Sequence, residues 1–241
     1  MKTFQIMRSL CTLTCLLMAL SAAAQVGERR TDFSVGVTAG YTMNRRSFQP
    51  KIKQKNLGSP MVGFAARYIC EKYFTCIAGV QAEVNYNNLG WQEVIEDGSG
   101  NTYSRDLHYI QIPLMMQMGW GRELRGLKFV FMAGPQLGFC IGSTENRGGD
   151  TWDTSRRPQN VTHQYGRELD NKFDYGIAAG LGLEVSTALG HFILEGRYYY
   201  GLGDAFDNSK KGYFGRSANQ TIYAKLTYLF DIIKTKNSQR K

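Results

Sequence analysis

The sequence predicts an all-β protein, an eight-stranded antiparallel up-and-down transmembrane β-barrel that is preceded by a cleaved signal peptide. Three observations support this prediction. Apolar and polar residues alternate with period two over eight separate segments. The connections between these segments alternate between long stretches of 15 to 31 residues and short ones of 3 to 8 residues. The first two dozen residues have the organisation of a secretory signal.

The composition excludes several other protein classes. The 241 residues carry a formal net charge of +9, and 43% of them are hydrophobic and 12% aromatic. That content is too apolar for a disordered chain, and no apolar run reaches the roughly 18–20 residues of a membrane-spanning helix. The positive charge is spread along the chain, so it indicates no nucleic-acid partner.

The N-terminal segment has the three parts of a signal peptide. Lys2 and Arg8 provide the positive region, Leu10–Leu20 the apolar region, and Ser21–Ala24 the small residues of a cleavage site. We expect three regions, which are a signal peptide (1–24), a barrel domain (25–230) and a periplasmic C-terminal tail (231–241). Because an exported chain does not meet cytosolic nucleotides, the sequence predicts no cofactor.

Eight segments alternate in the way that a half-buried strand does. The third is the clearest, because apolar or small residues from Phe74 to Tyr86 alternate strictly with Thr, Ile, Gly, Gln, Glu and Asn. In chain order, the apolar faces run from Phe33 to Met43, Val62 to Cys70, Phe74 to Tyr86, Ile110 to Met118, Leu127 to Ile141, Phe173 to Val185, Phe192 to Leu202 and Ala218 to Phe230. Short turns at one end and long loops at the other are typical of bacterial outer-membrane barrels.

A soluble lipocalin-like barrel is the main structural alternative, because it also has eight antiparallel strands and a signal peptide. The two faces of the strands distinguish the alternatives. The polar face carries many glycines, which suit a narrow interior, and the apolar face carries aromatic residues such as Tyr41, Phe173 and Tyr228 near the strand ends. We therefore predict a bacterial outer-membrane location. The strand prolines Pro113 and Pro135 are expected to mark bulges.

Several short motifs follow one another in the order and spacing of a known family. They are Gly36–Gly40, Val80–Tyr86, His108–Leu114, Gly134–Gly138, Asp174–Gly176, Gly180–Glu184 and Arg197–Leu202. Through them nearly the whole mature chain resembles the PorT-like outer-membrane β-barrel family, a porin-family group of Bacteroidota-type Gram-negative bacteria. The resemblance implies an eight-stranded barrel, and one branch of the family is tied to protein secretion. As a departure, Asp231 to Lys241 follow Phe230 here, whereas chains of the family end on the last strand's aromatic residue.

Charged residues on the inward face predict a lumenal charge network. They are Arg67, Glu83, Asp174, Glu184, Glu195, Arg197 and Lys225. Acids and bases at this density are also compatible with acid–base catalysis. However, an eight-stranded interior has room only for its own side chains, and buried charges must be paired. We therefore expect a plugged lumen that does not conduct, with Glu195 and Arg197 paired to Glu83 or Glu184.

The sequence predicts no catalytic site and no metal site. A hydrolase needs a Ser–His pair with an orienting acid. Of the three histidines, His163 falls in the longest loop, His191 lies at a tight turn, and strand pairing places no serine or acid beside His108. The histidines and cysteines also lack the spacing of metal ligands. A lipid-modifying enzyme is therefore the least favoured alternative.

The first long loop is basic and the second is acidic. The basic residues, a candidate anion-contacting loop, are Arg45, Arg46, Lys51, Lys53 and Lys55. They have two interpretations, contact with lipopolysaccharide phosphates or another surface anion, and a solvated loop. Glu93, Glu96 and Asp97 of the second loop are able to pair with them across the mouth of the barrel, and Trp91 and Trp152 are candidate loop anchors or partner contacts.

Cys70 and Cys76 flank the short hairpin between the second and third strands. If this hairpin centres near Tyr73, residues whose numbers sum to 146 lie opposite each other, and the two cysteines face each other on the outward side. Because the compartment is oxidising, they are a candidate disulfide.

Three functions are compatible with these features. The first is a non-enzymatic, monomeric barrel that contacts outer-membrane lipid and, through its loops, lipopolysaccharide or a surface protein. The second is an accessory component of a secretion or envelope-assembly complex, which only the family resemblance implies. The third is the lipid-modifying enzyme.

Overall fold

The computed structural model describes residues 27–122, 125–149, 151–209 and 212–235. The predicted signal peptide lies outside the described residues, as does the end of the predicted tail. The described chain forms ten β-strands and one short helix, α1 (Gln159–Thr162). No helix within these ranges is long and apolar enough to cross a bilayer.

Eight long strands form a closed antiparallel ring. They are β1 (Glu28–Gln49), β3 (Leu57–Tyr73), β4 (Cys76–Asn88), β6 (Thr102–Gly121), β7 (Gly126–Gly148), β8 (Phe173–Ser186), β9 (His191–Asp204) and β10 (Arg216–Ile233). Each pairs with its neighbour along the chain, and β10 closes the ring against β1. The predicted eight-stranded antiparallel barrel is therefore confirmed.

The two ends of the barrel differ. Short connections follow β3, β6 and β8, and we call this side the turn end. Long connections follow β1, β4, β7 and β9, and we call this side the loop end. Two short strands, β2 (Gln54–Lys55) and β5 (Trp91–Glu93), continue the wall at the loop end beyond β3 and β4. There β2 pairs with β5, and β5 pairs with β6.

The apolar face of the strands points outward. Val37, Phe64 and Ile177 are 52%, 70% and 57% exposed, whereas the polar inward residues Thr38 and Gln81 are almost completely buried. A soluble barrel would bury its apolar face and expose its polar one. This arrangement suits a wall surrounded by lipid, so the lipocalin-like alternative is wrong.

The strands are longer than the apolar pattern predicts, particularly toward the loop end. β1 continues from Met43 to Gln49 at the loop end, and β10 continues from Phe230 to Ile233 at the turn end. Asp231 pairs with Ser34 of β1 and lies within the last strand, so the predicted start of a tail at position 231 is wrong. The reason is that alternation reports contact with lipid, whereas strand pairing depends on backbone hydrogen bonds and continues into polar residues.

The predicted disulfide between Cys70 and Cys76 is wrong, because both thiols are free. Tyr73 pairs with Cys76, and the register shifts between Ile69 and Glu71, so Cys70 falls in the irregular position and has no cross-strand partner in the ladder. Its thiol instead contacts the Ala78 carbonyl oxygen, 3.4 Å away. The hairpin centres between Phe74 and Thr75 rather than at Tyr73, and this shift removes the two cysteines from opposite positions.

The predicted bulges at the strand prolines are also wrong. Pro113 pairs with Gln136, and Pro135 pairs with Ile177, without a shift in register. The irregularity between β6 and β7 lies at His108–Tyr109 instead. A proline removes only its own N–H from the ladder, and here the pairing continues on both sides of that gap.

Candidate functional site

Four charged side chains form one ion-paired group in the lumen, which we call the central network. Glu83 lies on β4, Glu195 and Arg197 on β9, and Lys225 on β10. Arg197 Nη2 is 2.9 Å from Glu83 Oε1, and Arg197 Nε is 2.6 Å from Glu195 Oε1. Lys225 Nζ is 2.6 Å from Glu83 Oε1. All four side chains are almost completely buried, and every charge has an opposite partner, as a buried charge requires.

A second ion-paired group, the basal network, lies closer to the turn end. Glu184 accepts hydrogen bonds from Arg67 Nη1 at 2.9 Å and faces Lys128 Nζ at 2.8 Å. Lys128 is absent from the predicted network, although its position between the outward residues Leu127 and Phe129 places it on the inward face. Strict application of the alternation would have found it.

Asp174, the remaining predicted network member, is separate from both groups. Its carboxylate accepts a hydrogen bond from Asn219 Nδ2 at 2.8 Å, and it makes no ion pair with another of the described residues. The lumen therefore holds two ion-paired groups and one hydrogen-bonded aspartate rather than one continuous network.

Apolar side chains fill much of the remaining lumen. The buried cluster comprises Met61, Ala65, Met115, Val130, Met132, Ala178, Ile193, Tyr199, Tyr223 and Leu229. Several inward positions carry methionine, whose flexible side chain fills irregular space, and Tyr199 and Tyr223 add aromatic rings. Together with the two networks they occupy the interior.

A serine, a histidine and two acids meet at the turn end, an arrangement that the alternation pattern does not predict. Ser186 Oγ lies 3.0 Å from His191 Nδ1, and His191 Nε2 lies 3.0 Å from Asp231 Oδ2. However, Glu184 Oε1 lies only 2.7 Å from the same Nδ1. Both ring nitrogens thus face carboxylates, and Ser186 Oγ itself donates to Glu184 Oε1 at 3.3 Å. A catalytic base, by contrast, needs a ring nitrogen that is free to accept the serine proton. The four-residue turn that brings Ser186 opposite His191 was the signal for this cluster.

The loop end is closed by a hydrophobic cluster, which we call the cap. Its buried residues are Phe48, Ile52, Leu89, Trp91, Tyr103, Leu107, Tyr109, Cys140, Phe206 and Phe214. These residues come from the long connections and from the strand ends beside them. Phe48 contacts Trp91 edge-on with ring centroids 5.3 Å apart, and Phe206 packs against Phe214 at 5.3 Å.

Polar contacts tie the third long loop to the second. Trp91 Nε1 donates to Gln164 Oε1 at 2.8 Å, and Gln164 Nε2 donates to Glu93 Oε2 at 2.8 Å. The Tyr165 hydroxyl donates to the same carboxylate. Arg157 Nε pairs with Asp97 Oδ2 at 2.9 Å. The cap is therefore a packed and hydrogen-bonded structure, and Trp91 is an internal anchor rather than a surface contact.

The five residues of the candidate anion-contacting loop lie in different surroundings. Arg46 is wrongly predicted to be at the surface, because it points inward, is buried, and donates to the Ser217 carbonyl oxygen at 2.9 Å. Lys53 pairs with Glu96 of the second loop, as expected for a basic and an acidic loop that meet. Arg45, Lys51 and Lys55 are exposed.

Glu93 makes the cap sensitive to pH. Burial raises the pKa of its carboxyl above the ordinary value, although the Tyr165 hydroxyl bond acts in the opposite direction. Glu93 thus binds a proton more tightly in the packed cap than it does when the cap is unfolded. The cap is therefore most stable at a pH below the ordinary pKa of a glutamate. Its stability falls as the pH rises through the raised pKa of Glu93.

We expect hydrogen exchange in residues 155–170, corrected for the intrinsic rate, to accelerate as the pH rises through this range. Glu93→Gln keeps an acceptor for Tyr165 and removes the titration, so the corrected rate should become independent of pH. Asp153→Asn is the control, because Asp153 is exposed and bonds Ser155. An unchanged pH trend in the Gln variant would contradict the assignment to Glu93.

Within the described ranges, no group of three or more His, Cys, Asp or Glu side chains is arranged to hold a metal ion. The thiol of the buried Cys140 contacts the Gly142 carbonyl oxygen.

Solved structures with a similar arrangement include three outer-membrane barrels. OprG from Pseudomonas aeruginosa is 12% identical, with 85% of this chain and 98% of that chain covered and a TM-score of 0.42. The N-terminal β-barrel domain of OprF from the same organism is 12% identical over 84% and 100%, with a TM-score of 0.38. Ail of Yersinia pestis is 15% identical over 83% and 99%, with a TM-score of 0.37. Likenesses this distant carry no argument about binding or activity.

Comparison with curated proteins finds no match. The sequence profile of a family described as "Outer membrane protein beta-barrel domain" matches residues 23–207. This range covers most of the chain and includes the strands from β1 to β9. Together with the closed ring and its outward apolar face, the match establishes that this chain belongs to the outer membrane protein beta-barrel domain family and resides in the bacterial outer membrane.

Proposed function

We propose that the protein is a non-enzymatic, monomeric outer-membrane barrel that does not conduct and that acts through its loop end as a surface or envelope interaction protein. The observation that carries this proposal is the cap, a buried aromatic cluster that closes the loop end above a lumen filled by its own side chains. A channel needs a continuous aqueous path, and barrels with such paths have about 16 strands or more.

The contacts within the lumen support a permanently closed interior. Arg197, Lys225 and Arg67 each bind a carboxylate directly, so opening a path would separate buried ion pairs. At the loop end, Trp91 is completely buried among aromatic rings. The parts of the molecule left for binding are the outer surface of the cap and the lipid-facing wall.

A planar bilayer measurement tests this function. Purified, folded protein should give no stable single-channel steps, whereas a general porin in the same bilayer provides the positive control. Reproducible steps of nanosiemens size from the monomer would overturn the filled lumen and with it the proposal.

The absence of catalysis and the PorT-like assignment belong to the same proposal. The Ser186–His191 pair supports the first, since its ring nitrogens face carboxylates. The ordered motifs support the second, and Glu83, Glu184 and Arg197 of those motifs lie in the lumenal networks.

A stable stoichiometric partner that co-purifies from outer membranes would favour the accessory role in secretion. A lipid A profile that changes on gene deletion would favour the enzyme and contradict our proposal.

A further inference from the structure

We propose that the outer wall carries a binding site for a phosphorylated headgroup lipid of the outer leaflet. The site has two parts on neighbouring strands. The first is a set of exposed or half-exposed cations on β10, β1 and β2, namely Arg216, Arg45 and Lys55, which we call the basic strip. The second is a pair of apolar grooves lower on the same wall. The inference requires only that the barrel lies in the outer membrane and is independent of whether it conducts.

The basic strip lies directly above the apolar belt. On β1 the outward residues Tyr41 and Met43 are each 48% exposed, and Arg45 is the next outward residue toward the loop end. Its inward neighbours Asn44 and Arg46 are buried, so alternation fixes Arg45 on the outside. Lipid headgroups occupy this height, because the belt marks the hydrocarbon region.

Two of the cations are held in place by neutral partners rather than by acids. Arg45 Nε donates to Gln220 Oε1 at 3.0 Å. The Arg216 guanidinium lies 5.0 Å from the centre of the Tyr200 ring and donates to the Tyr200 hydroxyl. Register places Arg45, Gln220 and Tyr200 in one row across β1, β10 and β9. A guanidinium oriented without a carboxylate keeps its charge and further donors for an anion, and phosphate is the anion that arginine binds best.

Lys55 extends the strip sideways. It lies on β2, which is held beside the upper part of β1 by hydrogen bonds between the Gln54 amide and the Arg46 backbone. Lys55 is exposed, whereas Lys53 on the same segment is paired with Glu96. A basic patch that spans three wall segments matches a headgroup with more than one phosphate better than it matches a single small anion.

The grooves lie on either side of the Phe64 ring, which protrudes from the wall at 70% exposure. The upper groove passes Ala39 and Val62, and the lower one passes Ala66 and Ala82. Their volumes of about 650 and 480 Å³ fall within the range of ligand-binding clefts. The lining side chains that face outward are apolar, so the grooves suit hydrocarbon chains.

Distance links the two parts. Ala39 and Arg45 are six residues apart on β1, which is roughly 20 Å along the strand. A strand tilt of about 40° reduces this to roughly 15 Å along the membrane normal, which is half of the roughly 30 Å hydrocarbon core. A lipid with its phosphate at Arg45 therefore has acyl chains of the right reach for the groove at Ala39. Because the distance from the basic strip to the groove matches the reach of an acyl chain, we assign the site to a lipid rather than to a free anion.

Native mass spectrometry of the folded protein in detergent tests the site. The probe is bis-phosphorylated lipid A, and the comparison lipid is the same molecule without phosphates. We expect phosphate-dependent adducts with the wild-type protein and about tenfold or more weaker binding to the Arg45→Gln, Arg216→Gln double variant. The single variants Arg45→Gln and Arg156→Gln form a matched pair, because Arg156 is exposed on the third long loop, and only the first should weaken binding.

A second variant tests the groove separately. Ala39→Phe places an apolar ring on the lipid-facing wall, where it is compatible with folding, and should weaken binding although no charge is changed. Compact bands on semi-native gels verify folding of every variant. Equal adducts with dephosphorylated lipid, equal binding by the double variant, or complete competition by millimolar inorganic phosphate would each overturn the inference. The last outcome would indicate a site for free anions.

Discussion

Replacing Arg197 with alanine is expected to lower the free energy of unfolding by about 3–5 kcal/mol, the usual cost of removing one partner from a buried ion pair. The guanidinium binds both Glu83 and Glu195, and neither carboxylate reaches water. Lys225 alone would then face two acids. The measurement is the temperature at which the compact band on a semi-native gel is lost, which should fall clearly for this variant.

Two further variants make the result specific. Arg197→Lys keeps the charge but loses the forked donor geometry, so its unfolding temperature should fall between the wild-type and the alanine values. Arg156→Ala removes an exposed arginine and should leave the temperature unchanged. If Arg197→Ala also leaves it unchanged, the central network does not stabilise the barrel.

The second large effect is expected from Trp91→Ala, which empties the centre of the cap. Loss of a fully buried indole typically costs about 3–5 kcal/mol, and the variant also leaves Gln164 without the indole donor. We expect the third long loop to detach while the ring of strands persists. Trypsin should then cut after Arg156 or Arg167, whereas the Arg157–Pro158 bond resists it. The compact band should survive.

Tyr213→Ala serves as the matched control for the cap. Tyr213 is aromatic and on the fourth long loop, but it is 37% exposed and stacks on His163 at the surface. Its removal should leave the loop resistant to trypsin. Equal resistance of the Trp91 variant would mean that the cap is held by its polar contacts alone, and conductance in that variant would mean that the cap, not the lumen, is the barrier.

The sequence was sufficient to predict the barrel, because one property repeats in every strand. The period of two determines which face of a strand each side chain occupies. It places Val37, Phe64 and Leu226 against lipid. It places Arg67, Glu83 and Lys225 in the lumen. Motifs add little to this, since their polar members pack inside the barrel. They are therefore informative about how the lumen is filled and not about what the protein binds.

The cap could not be predicted, because its residues follow no period. Phe48, Trp91, Phe206 and Phe214 are far apart in the sequence, and only the closed ring brings them together. The error at Arg46 has the same origin. The predicted first strand ends where the apolar pattern ends, at Met43, so Arg46 falls in a predicted loop although it occupies an inward position on β1.

The cysteine register failed for a different reason. The chain reverses at Phe74–Thr75, and Phe74 has a positive φ of 50°. In tight hairpin turns, a residue with positive φ is normally glycine or asparagine. Here a phenylalanine adopts it, so the sequence contained no marker for the true centre of the hairpin.

The central network also restricts how the protein can enter the membrane. Glu83 is 114 positions from Arg197 and 142 from Lys225. Contacts over such separations form late, because the chain entropy of closing long loops opposes them. Until β10 meets β1, the four charges lack their partners, and hydrocarbon cannot solvate them. Entry strand by strand would therefore be prohibitive. We therefore expect the ring to close while water still fills its interior, so that insertion and closure occur in one concerted step.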